Sequence, residues 1–281
     1  MKEEKNGVLR SILTHALLIF LAFLCLFFFY ILIVNATRTH IELQKGFSFL
    51  PGTNFLVNFK NVLNDANVPI LYGIMNSLIV SAGCALLSTY FSAMTAYGLY
   101  VYDFKLQKAA FAFIMMILVM PTQVTALGFL RLITKMNLAD TLYPLILPSI
   151  AAPAIFYFMY SYMQSNLAKD LVEAARIDGS GEFRTFNQVV FPILKPAIAV
   201  QAIFAFVSAW NNYFIPALVI TTKKRQTLPI MIASLRSADF LKFDMGKVYM
   251  LILIAIVPII IVYLCLSRFI IAGVALGGVK E

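Results

Sequence analysis

Charged side chains are scarce in this chain. Asp, Glu, Lys and Arg make up 12% of its 281 residues, whereas soluble globular proteins carry about 25%. Apolar residues account for 61% of the chain, and the mean hydropathy is +0.87. This composition excludes an ordinary water-soluble domain and indicates a protein that lies in a lipid bilayer.

Patterns for disulfides, metals and nucleotides are also absent from the sequence. Cys25, Cys84 and Cys265 lie in apolar runs without the spacing of a metal site, so we interpret them as packing residues. There is no G-x-x-x-x-G-K-[ST] motif, no strand pattern to carry one and no catalytic constellation. The net charge of +9 is explained by attraction to lipid headgroups, and no basic surface with interleaved aromatic residues indicates nucleic-acid binding. We therefore expect no enzymatic site, cofactor, metal or bound nucleic acid in this chain.

Uncharged runs long enough to cross a bilayer as helices occur six times. They cover residues 12–34, 77–97, 109–130, 141–163, 197–221 and 248–267. The first run has 23 residues, more than the roughly 7 to 15 of a signal-peptide core, so we predict an uncleaved helix. The second run ends in tyrosines typical of an interfacial belt, Tyr97, Tyr100 and Tyr102. The prediction is an all-α, polytopic membrane protein with six transmembrane helices.

The distribution of cations does not decide the orientation. With a cytoplasmic N-terminus, the inside and outside segments would each hold eleven Lys and Arg residues. The first helix usually dominates, and three cations precede it, against Arg38 and Lys45 soon after it. This local bias favours a cytoplasmic N-terminus. The first outside loop, 36–69, contains a predicted amphipathic helix at 55–63, which would contact an external partner or act as a lid over the helix ends.

A mostly polar stretch, EAARIDGSGEFRTFNQVVFP at 173–192, interrupts the apolar chain. Helix formers dominate 169–178. This segment predicts a short helix whose apolar face contains Leu171, Ala174, Ala175 and Asp178. The helix should end near Gly179, because glycine can adopt the left-handed conformation there. A second helix is predicted over 182–190, with Phe183, Phe186 and Val190 on one face. The residues alone leave open an amphipathic connector that rests on lipid headgroups.

The spacing of this stretch resembles the EAA loop of binding-protein-dependent ABC importers. The loop of these permeases has the pattern E-A-A, three residues, G, nine residues, I, any residue and L-P. In this chain Val189 and Phe191 replace the Ile and the Leu of that pattern. Further stretches similar to sugar permeases are AYGLYVYDFK after the second run, the segment at 210–213, TLP at 227–229 and the closing IAGVALGGVKE. Gly128 stands where such permeases often have a second proline. The resemblance covers nearly the whole chain and is closest to the second permease subunit of di- and oligosaccharide importers.

The resemblance implies a type I ABC importer permease fold, like that of the methionine and maltose permeases. It divides the chain into an N-terminal region of residues 1–69, a core 70–271 with a cytoplasmic coupling loop 165–192, and a cytoplasmic tail 272–281. It places the protein in the bacterial cell membrane with both termini in the cytoplasm. The implied partners are a second permease subunit in a heterodimer, an ABC ATPase dimer that binds ATP and Mg, an extracellular or periplasmic sugar-binding protein and membrane lipids. The implied ATPase-coupling residues are Glu173, Ala174, Ala175, Asp178, Gly179 and Phe183.

The fifth apolar run contains the candidate substrate path. Two adjacent amides in such a run need partners, and an aromatic ring beside amides suits a sugar. The same groups could instead bond across helices as structural contacts. The candidate path residues are Gln123, Trp210, Asn211, Asn212 and Tyr213. Prolines in the third and fourth runs could kink helices around a cavity or only improve packing.

Two other functions remain as alternatives to a permease subunit. A secondary transporter would place coupling carboxylates or bases at the middle of the membrane, but the six runs carry charged residues only near their ends. A membrane scaffold would need neither the kinked runs nor the spacing of the 173–192 stretch. We therefore expect a sugar permease subunit that forms half of the translocation path and relies on a separate ATPase.

Overall fold

The computed structural model describes residues 2–66, 68–237 and 243–277. Within these ranges the chain is helical and contains no β-strand, which confirms the all-α prediction. The chain divides into two compact units, one of residues up to Val68 with Ile232–Ile256, and one of Pro69–Met231 with the residues from Val257 onward. The predicted boundaries of the 70–271 core stay a prediction. The end of the predicted tail, from 278, lies outside the described residues.

The first unit contains α1 (Lys2–Ala36), α2 (His40–Gln44) and α3 (Phe55–Leu63). The predicted amphipathic helix at 55–63 is confirmed as α3. The Asn58 side chain of α3 donates hydrogen bonds to Ala36 O, at the end of α1, and to Arg38 O just beyond it, each at 2.9 Å. Lys247 Nζ lies 3.0 Å from Asp65 Oδ2, and this ion pair helps to explain why Ile232–Ile256 belongs to this unit.

The second unit is built around α4 (Ile70–Val101), which packs against α8 (Pro153–Asn166) and α12 (Lys195–Trp210). Small side chains allow helices to approach closely in a membrane, and α4 buries a series of them. They are Ser77, Ser81, Ala85, Ser88, Ser92, Ala93 and Ala96. A Cβ added at Gly83 would lie 2.8 Å from Ile146 Cγ2, so a larger residue there would require the Ile146 side chain to shift. Of the cysteines, Cys84 is buried as predicted, whereas Cys25 and Cys265 are exposed.

The other helices of the chain have the following bounds. They are α5 (Gln107–Leu118), α6 (Thr122–Lys135), α7 (Tyr143–Ile146), α9 (Lys169–Ile177), α10 (Glu182–Thr185), α11 (Phe191–Ile193), α13 (Phe214–Val219), α14 (Leu228–Arg236) and α15 (Met245–Gly277). A π turn, Phe186–Val190, joins α10 to α11, and 3₁₀ turns follow α7 and α13 at Leu147–Ile150 and Lys223–Arg225.

Four helical segments among the described residues are long and apolar enough to cross a membrane, and six result if two bent helix pairs each count as one span. The four are Arg10–Ala36, Ile70–Val101, Tyr143–Asn166 and Met245–Cys265. One bent pair is α5 and α6, with an angle of 98° between them. The predicted run 109–130 is therefore not one straight helix. Pro121 directly precedes α6 in an extended conformation, with φ −65° and ψ 129°, and it has no N–H to continue the hydrogen-bond ladder of α5.

The fifth predicted span, 197–221, is also interrupted. Helix α12 ends at Trp210, residues 211–213 are not helical, and α13 begins at Phe214. The second bent pair joins the segment Glu182–Ile193 to α12 at 82°, so the loop before α12 does not continue into the span. Non-helical backbone at membrane depth is tolerated where protein or a cavity surrounds it. The interruption therefore marks a candidate lining segment.

Candidate functional site

The stretch 173–192 folds as two short helical segments around a glycine turn. Gly179 has φ +78°, a left-handed conformation that L-residues with a side chain rarely adopt. The Ser180 N–H donates to Ala175 O at 2.9 Å, and the Gly179 N–H donates to Arg176 O at 3.0 Å. These two bonds form a Schellman motif. The predicted end of the first helix at Gly179 is confirmed.

Apolar side chains anchor this loop in the core of the second unit. Val172 of α9, Phe186 and Val190 are almost fully buried, together with residues of α4 and α8. The rings of Phe186 and Tyr97 are 5.5 Å apart between centroids. The buried side of α9 is therefore formed by Val172. The predicted apolar face of α9 points outward instead, since its Leu171 is 47% exposed.

The outward surface of the loop consists of Glu173, Ala174, Ile177, Asp178 and Phe183, all of which are exposed. We name this set the outer face of the predicted coupling loop. Ile177 is 86% exposed and Phe183 70% exposed. Apolar residues exposed around a carboxylate are typical of an interaction surface.

Two predicted coupling residues complete the description of this surface. Gly179 is exposed next to it, while Ala175 is half-buried. Phe183 does not share the buried face of Phe186 and Val190, contrary to the sequence prediction. The π turn between Phe186 and Val190 winds less tightly than an α-helix, so it changes the direction of the side chains that follow Phe183.

Four polar side chains connect the loop to the C-terminal end of α4. The Arg176 Nε lies 2.8 Å from Glu182 Oε1, and the Tyr97 hydroxyl donates to Glu182 Oε2 at 2.9 Å. The Arg176 guanidinium lies over the Tyr102 ring, 5.3 Å from its centroid. We name these four residues the polar clasp. Sequence reasoning missed the clasp and interpreted both tyrosines as part of an interfacial belt; their spacing from Glu182 carries no local signal.

A cavity of about 230 Å³ lies where α4, α6, α7 and the segment after α12 come together. Its lining is mostly apolar and includes three prolines, Pro144, Pro148 and Pro216. The polar side chains that line it are those of Thr122, Thr125 and Asn212. The cavity therefore lies beside the breaks in the third, fourth and fifth predicted spans.

The candidate path residues fall into three different environments. Asn212 lines the cavity, and Gln123 is exposed next to Thr122, which also lines it. Asn211 and Tyr213 are exposed, as is Asn212, but they do not line the cavity. The Trp210 ring is 2% exposed and stacks on Phe206, with 5.6 Å between the ring centroids and an interplanar angle of 18°. The structure thus brings one of the two amides to the cavity and places the indole in the interior.

A second polar cluster joins the loop before α7 to the residues after α13. Asp140 has φ +57°, and its carboxylate accepts hydrogen bonds from the N–H groups of Thr221 and Thr222, each at 2.9 Å. The Thr222 hydroxyl donates to it at 2.6 Å, and Arg225 Nη1 lies 3.2 Å away. The hydrogen bonds from Thr222, with those of Thr221 and the charge of Arg225, hold the pKa of Asp140 well below its ordinary value. Sequence reasoning did not identify this cluster.

The fold and the loop define an all-α, polytopic membrane protein with an exposed helix–turn–helix and interrupted spans around a cavity. Comparison with known sequences specifies the class further. The sequence model of the family described as binding-protein-dependent transport system inner membrane component matches residues 88–270. The chain therefore belongs to this family, and the resemblance inferred from the 173–192 stretch is confirmed.

Individual relatives match over most of the chain. The arabinooligosaccharides transport system permease protein AraQ of Halalkalibacterium halodurans is 33% identical, covering 100% of both chains. The melibiose/raffinose/stachyose import permease protein MelC of Bacillus subtilis is 29% identical over 90% of each. A chain in the crystal structure of a bacterial ABC transporter involved in the import of the acidic polysaccharide alginate superposes with a TM-score of 0.76, at 20% identity, covering 92% of this chain and 95% of that one. This last likeness shows that the two chains share a fold.

Proposed function

We propose that the chain is a permease subunit of an ATP-driven, binding-protein-dependent importer of oligosaccharides. The family supplies the transport role. The substrate class rests on the relatives, because AraQ and MelC are named for the transport of arabinooligosaccharides and of melibiose, raffinose and stachyose. A permease named for sn-glycerol-3-phosphate transport, UgpE of Yersinia pestis, is similar at a lower 27% identity. A neutral oligosaccharide is therefore the favoured cargo.

The outer face of the predicted coupling loop is the proposed docking surface for a separate ABC ATPase dimer, which binds ATP and Mg. The observation that carries this assignment is the exposed Glu173 among exposed apolar side chains, on a helix whose opposite side is anchored by the buried Val172. A helix anchored in this way transmits a push on its outer side to the core. A connector that rests on lipid would instead turn its apolar side chains toward the membrane and keep carboxylates away from anionic headgroups.

The cavity beside Asn212 is the proposed portion of the sugar path. Its few polar groups on a mostly apolar wall match the usual lining of small-molecule sites. Its volume of about 230 Å³ lies below the roughly 300 to 1,000 Å³ of complete ligand pockets. A second, different permease subunit would therefore supply the other wall, as expected for a heterodimer.

The remaining partners and the orientation follow from the same proposal. The coupling loop faces the cytoplasm, where the ATPase lies, and both termini are cytoplasmic. A sugar-binding protein delivers its cargo on the opposite side. The many exposed apolar residues of α1 contact lipid and the second permease subunit.

Reconstitution tests this function directly. The chain is purified with a second permease subunit and an ABC ATPase from the same organism, and the complex is placed in proteoliposomes. These are supplied with ATP, a sugar-binding protein of that organism and one radiolabelled substrate: an arabino-oligosaccharide, raffinose or sn-glycerol-3-phosphate. We expect uptake of a neutral oligosaccharide that needs both ATP and the binding protein, and no uptake with a non-hydrolysable ATP analogue. Uptake of sn-glycerol-3-phosphate alone would contradict the sugar assignment. Absence of ATP-driven uptake of any of these would contradict the permease proposal.

A further inference from the structure

The polar clasp connects three elements that the coupling loop must move together. Tyr97 belongs to α4 and Tyr102 follows its last residue, while Arg176 lies in the last turn of α9 and Glu182 begins α10. We propose that this clasp transmits the motion of the coupling loop to α4 in each ATP cycle, so that Tyr97, Arg176 and Glu182 are positioning residues for transport. The inference rests on the proposed function and names the link inside this chain that the function requires.

The geometry of Glu182 makes it the centre of the clasp. Each of its carboxylate oxygens has a different partner: Oε1 pairs with Arg176 at 2.8 Å, and Oε2 accepts from the Tyr97 hydroxyl at 2.9 Å. A displacement of α9 therefore reaches α4 through two consecutive short contacts. The covalent connection between α9 and α10 is the turn at Gly179, and the clasp adds a side-chain connection from both helices to α4.

The apolar anchors of the loop do not supply the same constraint. Val172, Phe186 and Val190 hold the loop against the core by burial, and burial is non-directional. Hydrogen bonds depend strongly on angle as well as distance. The anchors therefore keep the loop attached, whereas the clasp fixes the direction in which α9 points relative to α4.

The two glutamates of the loop consequently have separate tasks. Glu173 points outward from α9 and is exposed, so its loss affects the affinity for the ATPase. Glu182 is joined to α4 by the hydrogen bond from Tyr97 and to α9 by Arg176, so its loss affects how much transport results from each ATP hydrolysed. When the clasp is loosened, the ATPase should still bind the permease and hydrolyse ATP, but the membrane-spanning helices should move less in each cycle.

Tyr97→Phe is the sharpest test, because it removes one hydroxyl and keeps the buried ring that contacts Phe186. The matched control is Tyr100→Phe on the same helix. Its lost hydroxyl donates to Leu167 O at 2.9 Å, before the start of α9, and its retained ring keeps the contact with Lys169 of α9. Complex yield, ATPase retention, ATP hydrolysis and sugar uptake are measured on the reconstituted transporter. The decisive quantity is the number of sugar molecules transported per ATP.

We expect Tyr97→Phe to lower the sugar transported per ATP about fivefold, with yield and ATPase retention changed less than about twofold. Glu182→Gln should act similarly, and the double variant should fall short of the product of the single effects, because both remove the same contact. If the wild-type complex transports sugar and the Tyr97→Phe complex transports the same number of sugar molecules per ATP, the clasp proposal is overturned and the proposed function stands. If Tyr97→Phe lowers complex yield and sugar uptake in proportion, with the sugar transported per ATP unchanged, Tyr97 has only a structural role and the clasp proposal is also overturned. A wild-type complex without ATP-driven uptake would overturn both.

Discussion

The turn at Gly179 offers a test in which backbone conformation is the only variable. A Cβ added at Gly179 or at Gly181 would meet no atom within 4 Å, so neither substitution to alanine creates a clash. The two positions differ in their dihedral angles. Gly179 has φ +78°, whereas Gly181 has φ −69° and ψ 154°, an extended conformation open to any residue.

The expected cost follows from this difference. An L-residue with a side chain in the left-handed region costs about 1 to 2 kcal/mol, so Gly179→Ala should favour alternative turn conformations by about 5- to 30-fold. Those alternatives break the hydrogen bond from the Ser180 N–H to Ala175 O and change the direction of α9. Gly181→Ala should be neutral or stabilise the chain by about 0.4 to 1 kcal/mol. Gly179→Asn should lie between wild type and Gly179→Ala, because Asn adopts the left-handed conformation more readily.

The assay is a titration of the purified ATPase subunit onto the detergent-solubilised permease pair carrying each variant. Gly179→Ala should weaken ATPase binding about 5- to 30-fold at unchanged yield of the permease pair, and Gly181→Ala should bind as wild type does. The reasoning is refuted if Gly179→Ala binds the ATPase with wild-type affinity. It is also refuted if Gly181→Ala weakens binding to the same extent.

Two further predictions concern the cavity and the Asp140 cluster. Asn212→Leu should reduce uptake about tenfold at unchanged complex yield, because it removes a polar group from the cavity wall. Asn211→Leu should change uptake less, because Asn211 does not line the cavity. Equal losses of uptake from both variants, matched by lower yields, would favour a structural role for the amides. Asp140→Asn tolerates the positive φ and should lower stability by about 1.5 kcal/mol near neutral pH. Since folding lowers the pKa of Asp140 from its ordinary 3.8, the stability gap between wild type and Asp140→Asn should be constant above about pH 5 and shrink as pH falls below that ordinary value. Thermal unfolding in detergent across this pH range measures the stability gap. A gap that stays constant down to about pH 3 would contradict a lowered pKa of Asp140 in the folded protein.

Features that depend on a few neighbouring residues were predictable from the sequence. The end of α9 at Gly179 follows from the preference of glycine for the left-handed region, and α3 at 55–63 follows from its amphipathic pattern. The apolar runs predicted helices long enough to span a membrane, and four helical segments and two bent pairs have the required length and composition. These properties are local, so one sequence contains enough information to infer them.

Features that depend on tertiary packing were not predictable. Pro121 indicates that a kink is possible, but the angle of 98° between α5 and α6 is set by the helices around them. The buried side of α9 was assigned wrongly because the helix has apolar residues both toward the core and on its outer face. A periodic pattern does not state which apolar side meets the rest of the protein.

Contacts between distant residues were also invisible in the sequence. The hydrogen bond from Tyr97 to Glu182 joins residues 85 positions apart, and the one from Thr222 to Asp140 joins residues 82 positions apart. Tyrosines at the end of an apolar run usually form an interfacial belt, so the belt was the reasonable interpretation before the fold was known. The position of Trp210 in the interior similarly depends on its contact with Phe206.

The most direct test of the central claim is the affinity of the ATPase for a complex carrying Glu173→Ala, compared with one carrying Asp170→Ala. Both residues are exposed on α9, and both substitutions remove one carboxylate from the same helix. If Glu173 meets a cation in a groove of the ATPase, its loss should weaken binding at least about tenfold, because breaking a desolvated charge pair costs several kcal/mol. Asp170→Ala should change binding less than about threefold, as expected for an exposed charge. Wild-type affinity and wild-type ATP-driven uptake in Glu173→Ala would contradict the claim that this loop couples the chain to an ATPase.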